Sequence, residues 1–353
     1  MKPIAFLDLS IFAVPNSIDT IEGFNSLFGR LEDWASRTAT QNCINIVVSD
    51  NAIDDLTLAN CFPALHNIQA LLEMYDISHV FSARDLNKRI FRILSRSVSL
   101  SDAIGIRVDQ CTADCSPTEA LENISEVLLA SAHKLACAVG VFLHLAPDAK
   151  GIVAIVQGYE VQGAVLDFAG SEIEATFLHR APPEDLTNVD EQINVAASPK
   201  DFLNGLLADS AWVMAEQGAE LALPIALRAA EKLGVEIDDL PLGVGRKFSV
   251  GESFYSSLAK VEALGNHKHA HTTLDRCATV VADNTLLFER DFQKNRRVDS
   301  AEARRVHLTK GGVGLRLMFW ERTNGGIEFA NVGPKHEEVI VEGNPKHTFE
   351  ALF

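Results

Sequence analysis

The sequence is poor in cysteine, and its basic residues are outnumbered by acidic ones. Six cysteines in 353 residues are too few for a disulfide framework, so we expect a reducing, cytosolic location. With 31 Lys and Arg against 48 Asp and Glu, the formal net charge is −17. This excludes a uniformly basic nucleic-acid-binding protein, because negative charge repels phosphate, but it leaves room for a local basic site.

Long apolar runs are also missing. No segment reaches the roughly 18–20 consecutive apolar residues that a membrane-spanning helix needs. The longest candidate, residues 135–147, is shorter and contains His144. Near the N-terminus Asp8 interrupts the region where a signal peptide has an apolar run. We therefore expect no membrane segment. The apolar content of 47% suffices for the cores of two or three domains.

The charge is distributed unevenly along the chain. Residues 1–245 hold 15 basic and 34 acidic residues, a net of −19, whereas residues 246–353 hold 16 and 14, a net of +2. A turn-rich stretch at 240–245 coincides with the change. With the hydrophobic patterns, this predicts three regions, which are an α/β domain at 1–110, a largely helical α+β region at 116–240, and a C-terminal α+β domain with an antiparallel sheet at 246–353.

The first region has the pattern of a short parallel sheet. Strand-like runs at 4–10 and 43–49 alternate with helical stretches, which favours parallel strands joined by crossover helices. Ligands collect at the carboxyl ends of such strands, and Asp8 and Asp50 both stand there. Two carboxylates can hold Mg²⁺ or Mn²⁺. The alternative is that both are turn and cap residues of a catalytically inactive fold.

The same two residues carry a resemblance to a known family. Asp8 within Phe-Leu-Asp-Leu-Ser and Asp50 at the end of Val-Val-Ser-Asp resemble the opening of PIN-domain nucleases. This resemblance implies a divalent metal bound by Asp8 and Asp50 and a water activated for phosphodiester hydrolysis. The late strand of that family, which ends in a further acid, has no clear counterpart in this sequence.

The middle region offers one chemical motif. Cys111 and Cys115 stand in a stretch, 108–115, that we predict as a polar loop before a helix beginning at Ser116. Their Cys-x-x-x-Cys spacing suits a thiol pair or a metal, but no second Cys/His pair follows at zinc-site spacing. A coincidental spacing of the two cysteines is favoured over a metal site. Beyond it, 151–157 predicts a strand with two antiparallel neighbours.

Basic residues concentrate in the C-terminal region and are candidates for contacts with nucleic-acid phosphate. They are Arg296, Arg297, Arg304, Arg305, Lys310 and Lys335. The surrounding pattern predicts strands at 304–309, 314–320 and 327–332, with an Asn-Gly-Gly hairpin turn between the last two. We expect residues 336–341 to form an outer strand.

The end of this region resembles the closing sheet of RelE/ParE-type toxins. The features that match are Gly314-Leu-Arg316-Leu, the hairpin turn, and Val332-Gly-Pro-Lys-His336. The ending is also similar to uncharacterised proteins of bacterial defence islands. The toxin resemblance implies that Arg316 and Lys335 hold RNA phosphate and that His336 assists proton transfer. The alternative is a small sheet whose charges are solvated or contact an acidic partner surface.

Two functional interpretations follow. In the first, the protein is a non-catalytic subunit or adaptor of a bacterial multi-component system, such as an anti-phage one, and contacts a partner protein or nucleic acid through its C-terminal domain. In the second it is a nuclease, either metal-dependent at Asp8 and Asp50 or metal-independent at Arg316 and His336. The first is favoured because no complete catalytic motif is present, and a cofactor, Mg²⁺ or Mn²⁺, is expected only for the PIN-like alternative.

Overall fold

The computed structural model describes most of the chain as two compact units. The described residues are 1–13, 21–40, 44–116, 125–157, 165–178, 181, 183, 186, 188–242, 245–282, 294–309, 314–337 and 339–350. One unit, called the N-terminal unit, comprises residues 4–205, and the other, the C-terminal unit, comprises residues 1–3 and 206–353. The mixed α/β class predicted from the sequence is confirmed.

A seven-stranded mixed sheet forms the centre of the N-terminal unit. Its strands are β1 (Ile4–Leu7), β2 (Asn45–Val48), β3 (Val98–Ser99), β4 (Ile106–Ser116), β5 (Val153–Val156), β6 (Val165–Phe177) and β7 (Asn188–Ala196), arranged in the order β3-β2-β1-β5-β7-β6-β4. The first five in this order are parallel, and β6 pairs antiparallel with both of its neighbours, β7 and β4. The chain leaves β1 towards β2 and later returns to its other side as β5, so the order reverses between β1 and β5.

Helices connect these strands and cover the sheet. They are α1 (Ile21–Thr40), α2 (Ala52–Leu58), α3 (Leu65–Met74), α4 (Ala83–Arg96), α5 (Leu100–Ile104), α6 (Glu126–Leu145) and α7 (Pro199–Asn204). Helix α4 is capped at its start, because the Ser82 side chain accepts a hydrogen bond from the Asp85 N–H. Helix α6 packs closely on the sheet at Gly140, where a Cβ atom would lie only 2.5 Å from the Phe168 ring.

Two predictions for the middle of the chain are wrong. The expected loop at 108–115 belongs to β4, and the two antiparallel strands expected after 151–157 are one continuous strand, β6. The first turns of the helix expected from Ser116 fall on residues 117–124, which lie outside the described part of the chain, and α6 is described from Glu126. Exposed and buried residues alternate along the first half of each of β6 and β7, the period of two that is typical of a strand.

The C-terminal unit contains a five-stranded sheet whose outermost strand is only two residues long. Its strands are β8 (Phe248–Val250), β9 (Glu302–His307), β10 (Leu315–Glu321), β11 (Ile327–Pro334) and β12 (Phe349–Glu350), in the order β12-β8-β11-β10-β9. The antiparallel β9, β10 and β11 occur as predicted. The expected outer strand at 336–341 is wrong, since the described part of this segment crosses a face of the sheet, where Asn331 bonds to Val339 and Val341.

Four helices complete the C-terminal unit. They are α8 (Ala208–Val213), α9 (Ala222–Leu233), α10 (Phe254–Lys260) and α11 (Ala270–Ala282). Phe254 of α10 stacks on Phe329 of β11, with ring centroids 5.6 Å apart. The Trp212 indole donates to the Ala263 carbonyl at 3.0 Å. Because α8 and α9 pack with α11, the two units divide between Gly205 and Leu206 rather than at the change of charge near residue 245.

Helix α6 is long and mostly apolar. Among the described residues, α6 alone is long and apolar enough to cross a membrane by those two criteria, and 61% of its most apolar window is buried inside the protein. The sequence reading missed this length because it counted only uninterrupted apolar residues, whereas the helix includes His133, Lys134 and His144.

Candidate functional sites

Asp8 follows β1 at the carboxyl edge of the parallel strands, where the strand order reverses. Its side chain is only 4% exposed and accepts a hydrogen bond from the Ser10 N–H at 2.8 Å, which begins a short 3₁₀ turn, Leu9–Ile11. Burial raises the pKa of the Asp8 carboxyl, and hydrogen bonds from Ser10 only partly oppose this. Asp8 is thus an N-cap in a site that disfavours its charge.

The neighbours of Asp8 along this edge are polar but uncharged. The Asp8 N–H donates to the Val156 carbonyl at 2.8 Å, so Gln157, the next residue of that strand, lies beside Asp8. Gln157 is 8% exposed. On the other side, the register of β1 and β2 continues to Ser49. Sequence reasoning missed Gln157, whose only signal was a polar residue at the end of an apolar strand.

Asp50, the second predicted carboxylate, has different partners. It accepts hydrogen bonds from the Ser101 N–H and hydroxyl, both at 2.9 Å, at the start of α5. Helix α5 follows β3, on the side of β2 that is away from β1. In the described part of the chain no group of three or more His, Cys, Asp or Glu side chains could hold a metal ion. The described contacts therefore give Asp8 and Asp50 separate capping roles.

Cys111 and Cys115, the predicted thiol pair, are both residues of β4. Four residues of extended chain separate two Cα atoms by about 13 Å, which is too far for a disulfide or a shared metal. This distance rules out the thiol pair and the metal site and leaves the coincidental spacing that the sequence favours; the expected loop is part of an extended strand.

Arg296, predicted to contact nucleic acid, lies inside the C-terminal unit. Its side chain is 0% exposed and donates to both carboxylate oxygens of Glu328, at 2.8 and 2.9 Å, and to both oxygens of Asp299. The guanidinium also lies 5.2 Å from the Trp320 ring centroid. Burial opposes its charge, but the hydrogen bonds to Glu328 and Asp299 outweigh this and raise the pKa of Arg296. Its assignment to nucleic-acid binding is wrong.

Arg304 is likewise engaged within the protein. Its guanidinium bonds to Glu321 at 2.8 Å and to Glu302 at 2.7 Å, and Arg246 also pairs with Glu321. Burial opposes ionisation of Glu321, but the hydrogen bonds and charges of Arg304 and Arg246 hold its pKa below the usual value. Arg304 therefore forms ion pairs between neighbouring residues of the sheet.

Three of the basic candidates, Arg305, Arg316 and Lys335, gather at the end of the sheet away from Trp320 and Arg296. In the strand register Arg316 pairs with His307 and Gly333, and the next pair on the same face is Met318 with Arg305. Arg316 is 5% exposed, and Arg305 and His307 are half-buried. We call Arg305, His307, Arg316 and Lys335 the cationic cluster.

Two observations show how closely the cluster is packed. A Cβ atom on Gly314 would lie 3.4 Å from the Lys335 Cβ and 3.6 Å from the Arg316 Nη1, so both side chains flank this glycine. Burial and the nearby charge of Arg305 lower the pKa of Arg316. Glu337, two residues after Lys335, packs against Gly333 and accepts a hydrogen bond from the Val339 N–H.

The other predicted residues are placed as follows. His336 is exposed in the turn after β11, next to Lys335. Arg297 is exposed beside the buried Arg296, at the opposite end of the sheet face from Arg316. Lys310 lies outside the described residues. Comparison of the chain with protein-family models, curated proteins and solved structures gives no match, so the PIN-like and RelE-like resemblances stay predictions.

Proposed function

We propose that the protein is a non-catalytic, nucleic-acid-binding component of a bacterial multi-component system, and that its cationic cluster holds phosphate groups. The observation that carries the proposal is the close approach of Arg305, Arg316 and Lys335 at one end of the C-terminal sheet. In a chain with a net charge of −17, such an approach of like charges favours an anionic ligand, because the ligand relieves their repulsion.

The chemistry of these side chains suits phosphate. Arg316 offers a planar fork of N–H donors, which matches two phosphate oxygens, and one of its donors already lies 3.3 Å from the Leu315 carbonyl. Lys335 supplies an exposed point charge beside it. A rigid strand positions the arginine, and the following turn presents the lysine and His336 to solvent.

The non-catalytic part of the proposal rests on the two carboxylates. Asp8 caps the turn at Ser10 and Asp50 bonds to Ser101, so both have structural partners. At the C-terminal sheet, His336 is exposed, and no hydrogen bond of its ring is found among the described residues. A general acid or base needs a partner that fixes its orientation, so this geometry favours binding over cleavage.

Fluorescence anisotropy with labelled single-stranded RNA, single-stranded DNA and duplex DNA tests the proposal. The double variant Arg316→Gln/Lys335→Gln should weaken binding at least about tenfold, because it removes two phosphate contacts. The matched control is Arg297→Gln, an exposed arginine of the same unit outside the cluster, which should change affinity less than about twofold. For single strands the wild-type salt slope should be about −2 for three cations.

Three outcomes would contradict the proposal. Equal loss of affinity in Arg297→Gln and the double variant would mean diffuse attraction rather than a site. Absence of binding to all three nucleic acids would favour an acidic protein partner. Cleavage of the labelled strands would show an enzyme. In that case EDTA and Asp8→Asn identify the metal-dependent alternative, and EDTA-resistant cleavage lost in His336→Gln identifies the metal-independent one.

A further inference from the structure

Helix α4 holds a large share of the positive charge of its region. Its 14 residues include five basic side chains and one acidic one, Asp85, whereas residues 1–245 hold only 15 basic residues in all. Three of the five, Arg84, Lys88 and Arg92, follow one another at intervals of four residues and are exposed. They therefore lie along one side of the helix, with about 6 Å of helix rise between successive Cα atoms.

These three cations differ from their neighbour Arg89. Arg89 forms an ion pair with Glu32 of α1, so its charge is compensated within the N-terminal unit. Among the described residues, no ion pair or side-chain hydrogen bond engages Arg84, Lys88 or Arg92. We call these three residues the α4 stripe. It is a local positive surface on a chain whose net charge is −17, and it favours an anionic partner.

An exposed aromatic side chain lies beside the α4 stripe. Phe91 is 39% exposed, and at about 100° per residue it lies within about 60° of both Arg84 and Lys88 around the helix axis. The Phe91 and Phe62 rings are 6.0 Å apart between centroids, with an interplanar angle of 73°. Phe62 thus supports the Phe91 ring, part of which stays accessible to solvent.

The opposite side of α4 is buried in the core. Leu86, Ile90 and Ile93 are at most 1% exposed, and the helix packs with α1 and α3. A helix that binds a lipid surface inserts its apolar side, which α4 cannot do while it is packed in this way. Its exposed side offers cations and an aromatic ring, the combination with which proteins bind the phosphates and stack the bases of a single strand.

We propose that the α4 stripe and Phe91 form a second surface for single-stranded nucleic acid, located on the N-terminal unit. Successive phosphates contact Arg84, Lys88 and Arg92, and one base stacks on Phe91. The inference rests on the proposed function for its class of ligand, but it shares no residue with the cationic cluster. An acidic protein, the alternative partner, would need the charges of the stripe but not the exposed ring.

Ultraviolet cross-linking of the unaltered, full-length protein to an oligothymidylate of about ten nucleotides locates the surface without any variant. Peptide mass spectrometry should find thymidine attached to the peptide that contains Phe91. Cross-links confined to peptides of the C-terminal unit would overturn the α4 surface and leave the proposed function standing.

Fluorescence anisotropy with the same strand tests the charges. The affinity that remains in Arg316→Gln/Lys335→Gln should fall at least about tenfold further when Lys88→Gln and Arg92→Gln are added. The matched addition of Arg107→Gln and Lys134→Gln, at exposed positions of the same unit, should change it less than about twofold. Full affinity in Arg316→Gln/Lys335→Gln that is lost only with the α4 changes would support the α4 surface and overturn the cationic cluster.

The variant Phe91→Leu tests the ring, because it keeps an apolar side chain against Phe62 and leaves every charge in place. It should weaken binding of oligothymidylate at least about fivefold. Binding of an abasic strand of the same length should not change, which also shows that the variant is folded. Unchanged affinity for oligothymidylate would mean that the surface recognises charge alone, which favours an acidic protein and overturns the inference.

Discussion

Two buried arginines on one face of the C-terminal sheet occupy opposite electrostatic settings. Arg296 is enclosed at the Trp320 end, bonded to Glu328 and Asp299, and its pKa is raised by these partners. Arg316 lies four residues from Trp320 along β10, about 13 Å away, and burial and Arg305 lower its pKa. Glu328 and Asp299 thus favour the charge of Arg296, whereas burial and the charge of Arg305 disfavour that of Arg316.

This difference separates structural from functional basic residues. A cation that the protein neutralises with its own carboxylates has little attraction left for an external anion, because those carboxylates also repel it. A cation held beside other cations gains free energy when an anion binds. The cluster at Arg316 is therefore the candidate for ligand binding, and the Arg296 network is part of the core.

The largest effect is expected for Arg296→Met. It leaves the buried Glu328 with Arg322, at 2.9 Å, as its remaining basic partner, so we expect a loss of about 3–5 kcal/mol in the free energy of unfolding. Urea denaturation followed by tryptophan fluorescence measures it. The neighbouring Arg297→Met, at an exposed position, is the control and should change stability by less than about 0.5 kcal/mol. Similar losses in both would contradict a buried network.

A smaller effect is expected for Asp299→Asn, with a distinct pH dependence. Hydrogen bonds from Arg296 hold the pKa of Asp299 below its usual 3.8, although burial opposes this. The ion pair of Asp299 therefore stabilises the folded state above pH 3.8, and this stabilisation is lost as the pH falls through the folded-state pKa. We expect the variant to lose about 2 kcal/mol at pH 7. The difference in the free energy of unfolding between the variant and the wild type should shrink below pH 4. A larger difference there would contradict the prediction.

Much of this fold could be predicted from local sequence patterns. The β10–β11 hairpin rests on residues close together in sequence, and its prediction is confirmed. The loop predicted around Cys111 was wrong, because the polar residues of an edge strand resemble those of a loop. Strand order beyond the first crossovers depends on contacts that span the chain, which no local pattern contains.

The candidate sites were less predictable for a related reason. The count of basic residues singled out Arg296 and the toxin resemblance singled out Arg316, but the charge of Arg296 is neutralised by Glu328, a residue 32 positions away. A carboxylate inside the apolar strand Ile327–Pro334 was the available signal, since such a residue is buried only with a partner.

Asp8 extends the comparison to a carboxylate in the other unit. Burial raises the pKa of Asp8, so the folded state binds its proton more tightly than the unfolded state does. Wild-type stability should therefore fall as the pH rises through the range between the two pKa values. Asp8→Asn keeps an oxygen that can accept the Ser10 N–H and should raise the Tm at pH 7 by about 2–4 °C. A lower Tm would indicate a bound partner or a stronger cap than the geometry shows.

The smallest change in stability is expected for Arg316→Met, and it bears most directly on the comparison. Because burial and the charge of Arg305 disfavour the Arg316 guanidinium in the folded state, an uncharged side chain of similar length should change the free energy of unfolding by less than about 1 kcal/mol. The measurement is the same urea denaturation used for Arg296→Met. A loss as large as that at Arg296 would mean that internal contacts of Arg316 are structural, and the cationic cluster would then lose its claim as a phosphate site.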